Sequence, residues 1–334
     1  MTISALPAYA FGYNEHTEAL AKFYPLLGII DEFSNAKTIL GLPRLTLADI
    51  DPTAPIINCV YNSRAYQAQA RLKSLQFATV IFIGEIISQW PENFRNTMLA
   101  EAYLGIKNDL SLVRSWALDF ADTRSQIEFE AVLAFRESLN IDYLADFEVK
   151  IDQQYFEPFL LDRNYCHLID GGAFDGCDSL KFAEYYPDYQ SIKLLEPSAR
   201  NRSLIANNLA GLDNIEVLPA CLGDRCDVVH FSGTGTSAKI VTTGGDAVDM
   251  TTIDHLLTDD ATLVKLDIEG AEMMALSGAS KALQSAHVGF AVSAYHLPDD
   301  FKNIWQWLRS AEVPRQFYFR HYSGGIAESV LFAL

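Results

Sequence analysis

A chain of 334 residues, 49% apolar and 20% charged, has the composition of an ordinary globular protein and is long enough for two domains that each bury a core. Its net charge of −18, shared by both halves, excludes a surface built for nucleic acid or acidic membranes, because such partners are held by clustered Lys and Arg. No apolar run reaches the roughly eighteen residues that span a bilayer, and the opening MTISALPAYAFGYNEH has no basic stretch ahead of an apolar one, so a cytoplasmic location is expected.

The first elements in chain order are a strand at Ala8–Gly12, a helix at Glu15–Phe23, strands at Leu26–Ile30 and Pro55–Val60, a helix at Arg64–Leu75 and a strand at Thr79–Gly84. Gly12 stands alone where a dinucleotide-binding turn would carry three glycines. Residues 1–88 therefore read as a degenerate Rossmann-like α/β domain that binds no dinucleotide. From Pro91 to Phe147 apolar residues recur at helical spacing, as at Met98, Tyr103 and Ile106, which predicts a helical connector over 89–150.

The densest signal follows in LIDGGAFDGCDSLKFAEYYPDYQSIKLLE, residues 168–196. A strand at Cys166–Ile169 ends at Asp170. Gly171, Gly172 and Gly176 then allow a sharp turn and a close ligand approach, with Ala173 inside the turn. A helix at Ser179–Tyr186 and a strand at Ser191–Leu195 complete the unit. Glu196 ends that second strand about 20 residues beyond Gly176, where a carboxylate can accept both ribose hydroxyls. The spacing DGGxxxG departs from the pyrophosphate pattern GxGxxG, and Asp170 would repel phosphates while suiting a ligand with an ammonium group, as in S-adenosylmethionine.

Beyond Glu196 strand and helix keep alternating: a helix at Ala199–Leu209, a strand at Ile215–Pro219, a β-rich stretch with SGTGTS from Val228 to Val241, and a short helix at Ile253–Leu257. A strand at Thr262–Leu266, a helix at Ala271–Leu283, a strand at Val288–Ala294, a helix at Asp299–Ser310 and closing strands at Gln316–Arg320 and Glu328–Phe332 finish the chain. This is the order of a doubly wound sheet covered on both faces, with a hairpin at its edge. Five cysteines, Cys59, Cys166, Cys177, Cys221 and Cys226, form no CxxC pair and read as reduced thiols, which argues against structural zinc.

In TLVKLDIEGAE a buried strand delivers Asp267 and Glu269 at its carboxyl end, and Glu272 opens the next helix as a dipole partner. SAYHLPDD brings Tyr295 and His296 to the same rim, and FYFRHYS brings Arg320 and His321 if the closing strand pairs inside the sheet. The motifs DGGAFDG, LLEPS, KLDIEGAE, AYHLPDDF and FRHYSGG, in this order over about residues 150–334, resemble the FkbM family of S-adenosylmethionine-dependent methyltransferases. The resemblance implies a class I, Rossmann-like, seven-stranded methyltransferase domain at 151–334, preceded by the smaller α/β domain and the connector. It also implies transfer to an oxygen of a sugar or natural product, with some relatives methylating amide nitrogen.

On that resemblance Asp170, Gly171, Gly172, Ala173 and Gly176 hold the methionine end of S-adenosylmethionine, Glu196 and Pro197 the ribose, Ala220 and Cys221 the adenine, with Asp267 beside them; S-adenosylhomocysteine is the product. His296 is the expected general base, oriented by Asp267, with His321 as second candidate. Glu269, Ser237, Tyr295 and Arg320 are the expected contacts to a small-molecule or carbohydrate acceptor. A divalent ion on Asp267, Glu269 and His296 is disfavoured, because no DxD run accompanies them and Glu269 before Gly270 has the place of a helix cap; no metal is expected. Methylation of a peptide amide, and a dinucleotide enzyme or inactive scaffold, stand as alternatives. Nothing in the sequence excludes a homodimer.

Overall fold

The computed structural model describes residues 6–107, 109–232, 239–241 and 244–334, and the chain divides into two compact units. The first takes the residues up to Leu118 with 126–151 and 321–328; the second takes 119–125, 152–320 and 329–334. The stretch read as a helical connector thus falls mainly within the first unit, and the turn between the last two strands belongs to it as well. Ser237 and most of SGTGTS lie outside the described residues. Among the described residues no helix is long and apolar enough to cross a membrane.

The first unit holds β1 (Ala8–Phe11), β2 (Leu26–Ile30), β3 (Thr38–Ile39), β4 (Leu42–Leu45), β5 (Ile56–Asn58) and β6 (Val80–Phe82), in the sheet order β3-β4-β2-β1-β5-β6. All pairings are parallel except β3 with β4. Ile29, Ile30, Ile56 and Ile57 are buried, as two-sided cover of a parallel sheet requires. The β3–β4 hairpin was not expected. Its strands are two and four residues long, too short for a period to show, and it turns through left-handed Leu40 and Gly41.

The second unit is built on β7 (His167–Gly171), β8 (Ser191–Leu195), β9 (Ile215–Leu218), β10 (Ala220–Leu222), β11 (Asp227–Ser232), β12 (Lys239–Val241), β13 (Asp246–Thr251), β14 (Thr262–Leu266), β15 (Val288–Ser293), β16 (Phe317–His321) and β17 (Ser329–Ala333). Seven of these form one sheet in the order β16-β17-β15-β14-β7-β8-β9, and β10, β13, β11 and β12 form a smaller one. From β15 to β9 the large sheet is parallel, while β17 runs antiparallel to β15. β7, β14, β15 and β17 are buried along their whole length, so their apolar runs leave no side for water. The helix Asp300–Arg309 covers the sheet with Phe301, Ile304, Trp305 and Leu308, one stripe at helical spacing.

The sequence predicts one helix over Ala271–Leu283, but the chain forms two, Glu272–Ser277 and Ser280–Leu283. The break falls at Gly278, which passes so near the Gly223 carbonyl that a Cβ there would lie 2.2 Å from its oxygen. Gly172 is tighter still: at φ +76° a Cβ would lie 1.9 Å from the Asp267 carbonyl oxygen. Its smallness therefore serves the approach of the β7 and β14 ends to each other. Gly172→Ala should cost at least about 2 kcal/mol in urea unfolding, from strained φ and backbone collision together; an unchanged midpoint would mean that the turn relaxes freely.

Candidate active site

Parallel pairing puts the carboxyl ends of β8, β7, β14 and β15 along one edge, with Asp170 level with Leu194 and Lys265, and Leu266 level with Val292. The residues just past those ends, 172–176, Glu196, 267–272 and 294–296, therefore share one rim.

Beneath the glycine turn lies an ion-pair cluster. Asp170 is fully buried, its Oδ2 accepting from the Ser179 hydroxyl at 2.7 Å and its Oδ1 lying 3.0 Å from the Lys265 ammonium. Lys265 also donates to the Gly172 carbonyl at 3.0 Å, stands 3.5 Å from Asp178 and sits over the Tyr155 ring at 5.3 Å. Burial works against the Lys265 charge, but Asp170, Asp178 and Asp267 outweigh it and raise its pKa. The Asp170 carboxylate, expected to face a ligand ammonium, is sealed from solvent in the free protein and holds the turn from below. The Cys177 thiol is pushed up by burial and by Asp175 and Asp178, so it is no ready thiolate.

Glu196 joins two pieces of the rim. Its Oε2 accepts from the Phe174 amide at 3.1 Å and its Oε1 from the Ser198 amide at 2.8 Å, and each oxygen keeps a lone pair. The Pro197 carbonyl accepts from Arg202. Gly171 and Ala173 are buried, and Gly176 turns at φ +84°. Ala220 and Cys221 lie on β10 in the smaller sheet, with Ala220 buried and the Cys221 thiol pushed up by burial to about 11.

The ends of β14 and β15 bring a second group together. Asp267 Oδ1 lies 3.2 Å from His296 Nε2 and accepts from the Tyr295 hydroxyl at 3.4 Å. Its Oδ2 accepts from the Tyr155 hydroxyl at 2.8 Å, which in turn lies 2.7 Å from the Ser293 hydroxyl. Glu269 Oε2 stands 3.6 Å from His296 Nε2, and Glu272 Oε1 stands 2.9 Å from Nδ1. Glu272 is more than a dipole partner: it is fully buried and also accepts from the Ile268 amide at 2.8 Å. Glu269, at φ +56° before Gly270 at +95°, is turned toward the imidazole.

Burial disfavours charge on His296, yet the bonds to Asp267 and Glu272 prevail and raise its pKa to about 11. Asp267 responds in the opposite sense: burial alone would raise it, but the His296 bond and the Lys265 charge hold it at about 2. The carboxylates around His296 thus favour its charged form in the free protein.

Two expected residues have other work. Arg320 is buried and pairs with Asp122 at 2.7 Å and Glu157 at 3.2 Å, which fastens the chain and does not present a guanidinium to an acceptor. His321 falls in the first unit, where burial and Arg136 push it down to about 3; its ring meets Phe147 edge-on. Sequence reasoning missed Tyr155, Ser293 and Lys265. A lone lysine in an otherwise apolar strand was the available sign for the last.

Lys265→Met should cost about 3–5 kcal/mol in urea unfolding, since it leaves Asp170 buried without its cation. A second expectation concerns pH. Because the folded pKa of His296 lies above its ordinary 6.5, the stability it adds is complete below that value and is lost as pH rises through about 11. Unfolding free energies of the wild type and His296→Gln should differ most below pH 6.5 and converge toward pH 11; a gap constant over that range would refute the charged pairing.

Residues 171–313 match the model of the methyltransferase FkbM domain. The crystal structure of methyltransferase FkbM from Methylobacillus flagellatus KT shares the fold at 20% identity and a TM-score of 0.76, covering 99% of this chain and 90% of that one. A putative rRNA-methylase from Clostridium thermocellum covers 52% of this chain and 89% of its own at 8% identity and a TM-score of 0.37. A precorrin-6y C5,15-methyltransferase from Geobacter metallireducens GS-15 covers 53% and 85% at 15% identity and a TM-score of 0.33. Overlaps this loose carry no argument. No curated protein matches the chain. The matched segment starts at the glycine turn and takes in Glu196, the KLDIEGAE strand and the rim at His296, so this part of the chain resembles the methyltransferase FkbM domain.

Proposed function

We propose that the protein transfers a methyl group from S-adenosylmethionine to a hydroxyl oxygen of a sugar or other natural product, with His296 required for removal of the acceptor proton. The observation that carries this reading is the rim itself, where Glu196 ends β8 and the group Asp267, Tyr295 and His296 stands two and three strands away in the same sheet. Glu196 would accept the ribose hydroxyls with its two remaining lone pairs. Asp170 is closed, so the donor ammonium would meet Asp178, whose side chain keeps 25% of its exposure beside Lys265.

Transfer is an in-line displacement. The acceptor oxygen forms its bond to the methyl carbon, the carbon–sulfur bond breaks, and its electrons leave on sulfur as a neutral thioether. Positioning of the three atoms supplies much of the rate. The hydroxyl proton must also leave, and the carboxylates around His296 draw it toward this corner. The carboxylates favour the charged ring in the free protein, so His296 first releases a proton to solvent and then, as neutral imidazole, takes the acceptor's proton as the oxygen attacks.

Equilibrium titration should give saturable S-adenosylmethionine binding and none of NAD; tight NAD binding without a response to S-adenosylmethionine would sink the reading. With labelled methyl donor, label should appear on hydroxylated sugar or natural-product pools, and label on peptide amides would turn the assignment to N-methylation. His296→Ala should leave donor affinity nearly unchanged and lower turnover at least about a hundredfold, and wild-type turnover in it would remove His296 from the mechanism.

A further inference from the structure

From the arrangement of Asp267, Glu272 and His296 we propose that this corner is a binding site for a divalent cation of the Mn²⁺ or Mg²⁺ type. One ligand atom from each of the three residues lies within 4.8 Å of the others, a spread that a single ion at the centre closes by small side-chain movements. Two carboxylates and one imidazole form a hard donor set with room for water or a substrate oxygen in the remaining positions.

Glu272 supplies an independent sign. Its side chain is fully buried, and while Oε1 accepts from Ile268 and His296, Oε2 has no hydrogen-bond donor. A buried carboxylate oxygen without a donor is costly. An ion in the cluster would satisfy it. Charge points the same way: Asp267, Glu269 and Glu272 surround one imidazole, so even with the ring protonated the group has two negative charges in excess. The features that spoke against a metal in the sequence also change. Glu269 faces His296, and the third donor, Glu272, comes from a helix start, where no DxD run is needed.

The use of the ion rests on the reading of this corner as the acceptor site. A hydroxyl oxygen bound to the cation loses its proton more easily. The proton passes to the Glu269 carboxylate, whose side chain is 38% exposed on the His296 Nε2 side, and the oxygen attacks the methyl carbon as the carbon–sulfur bond gives its electrons to sulfur. His296 loses a proton to solvent as the ion binds and then acts by ligation, so its substitution remains as damaging as above.

The test uses the full chain stripped with chelator and titrated with Mn²⁺ alone, read by electron paramagnetic resonance. One Mn²⁺ per chain should bind, Mg²⁺ should displace it, and Glu272→Gln and His296→Gln should each weaken it at least tenfold. Bound Mn²⁺ should also broaden the His296 imidazole resonances of the wild-type protein, a readout that needs no variant to fold. Absence of saturable binding, equal affinity in folded variants, or sharp His296 resonances at saturation would each overturn the site. Because binding is read without donor or acceptor, Mn²⁺ held here by a protein that transfers no methyl group would uphold the site while removing the function proposed for it.

Discussion

The rim depends on one buried ammonium. Lys265 occupies a strand whose other side chains are all apolar or uncharged, and it faces Asp170 across the β7–β14 pair. Removing an ammonium and a carboxylate from water costs several kcal/mol each, and only close geometry with further hydrogen bonds offsets that. Here Ser179 and the Gly172 carbonyl supply the further bonds, so register, glycine turn and helix start are fixed by one constellation. A slip of one residue would put Lys265 on the opposite face of the sheet and leave Asp170 unpaired.

Above that base the backbone takes conformations that side chains ordinarily avoid. Tyr155, Phe174 and Glu269 all have left-handed φ without being glycine. Tyr155 directs its hydroxyl to Asp267, Phe174 offers its amide to Glu196, and Glu269 swings its carboxylate to His296. Each such residue costs on the order of 1–3 kcal/mol and persists only where its surroundings hold it. Other left-handed residues, such as Leu40, Gln76 and Asn214, lie elsewhere in the chain, but these three hold groups of the rim.

Apolar runs made several strands legible: Leu26–Ile30, Ser191–Leu195 and the wholly buried Thr262–Leu266 stand where those runs put them. The assembly of Asp267, Tyr295 and His296 could be read as well, since strand ends in a parallel sheet converge by construction. What could not be read was direction. Asp170 at a strand end reads alike whether its carboxylate points up to a ligand or down to a lysine, and only the position of Lys265, 95 residues later in the chain, decides it. His296 reads as a neutral base from its ordinary pKa, while its bonds to Asp267 and to Glu272, which sequence reasoning left to the helix dipole, favour its charged form.

The division of the chain carries a practical meaning for anyone dissecting it. Residues 119–125 belong to the second unit although the family match begins only at 171. Phe120 forms a parallel bridge with Phe317, the Ala121 amide donates to the Phe317 carbonyl, and Asp122 and Ser125 bind the Arg320 guanidinium. β16 is the terminal strand of the large sheet, and this short segment covers part of its open side. A fragment cut to begin at the apparent domain start would bare that strand's backbone and withdraw the Asp122 carboxylate from a buried arginine. An uncovered edge is a template for pairing with other chains, so such a fragment should self-associate; the compact second unit reaches further back in the chain than the family match does.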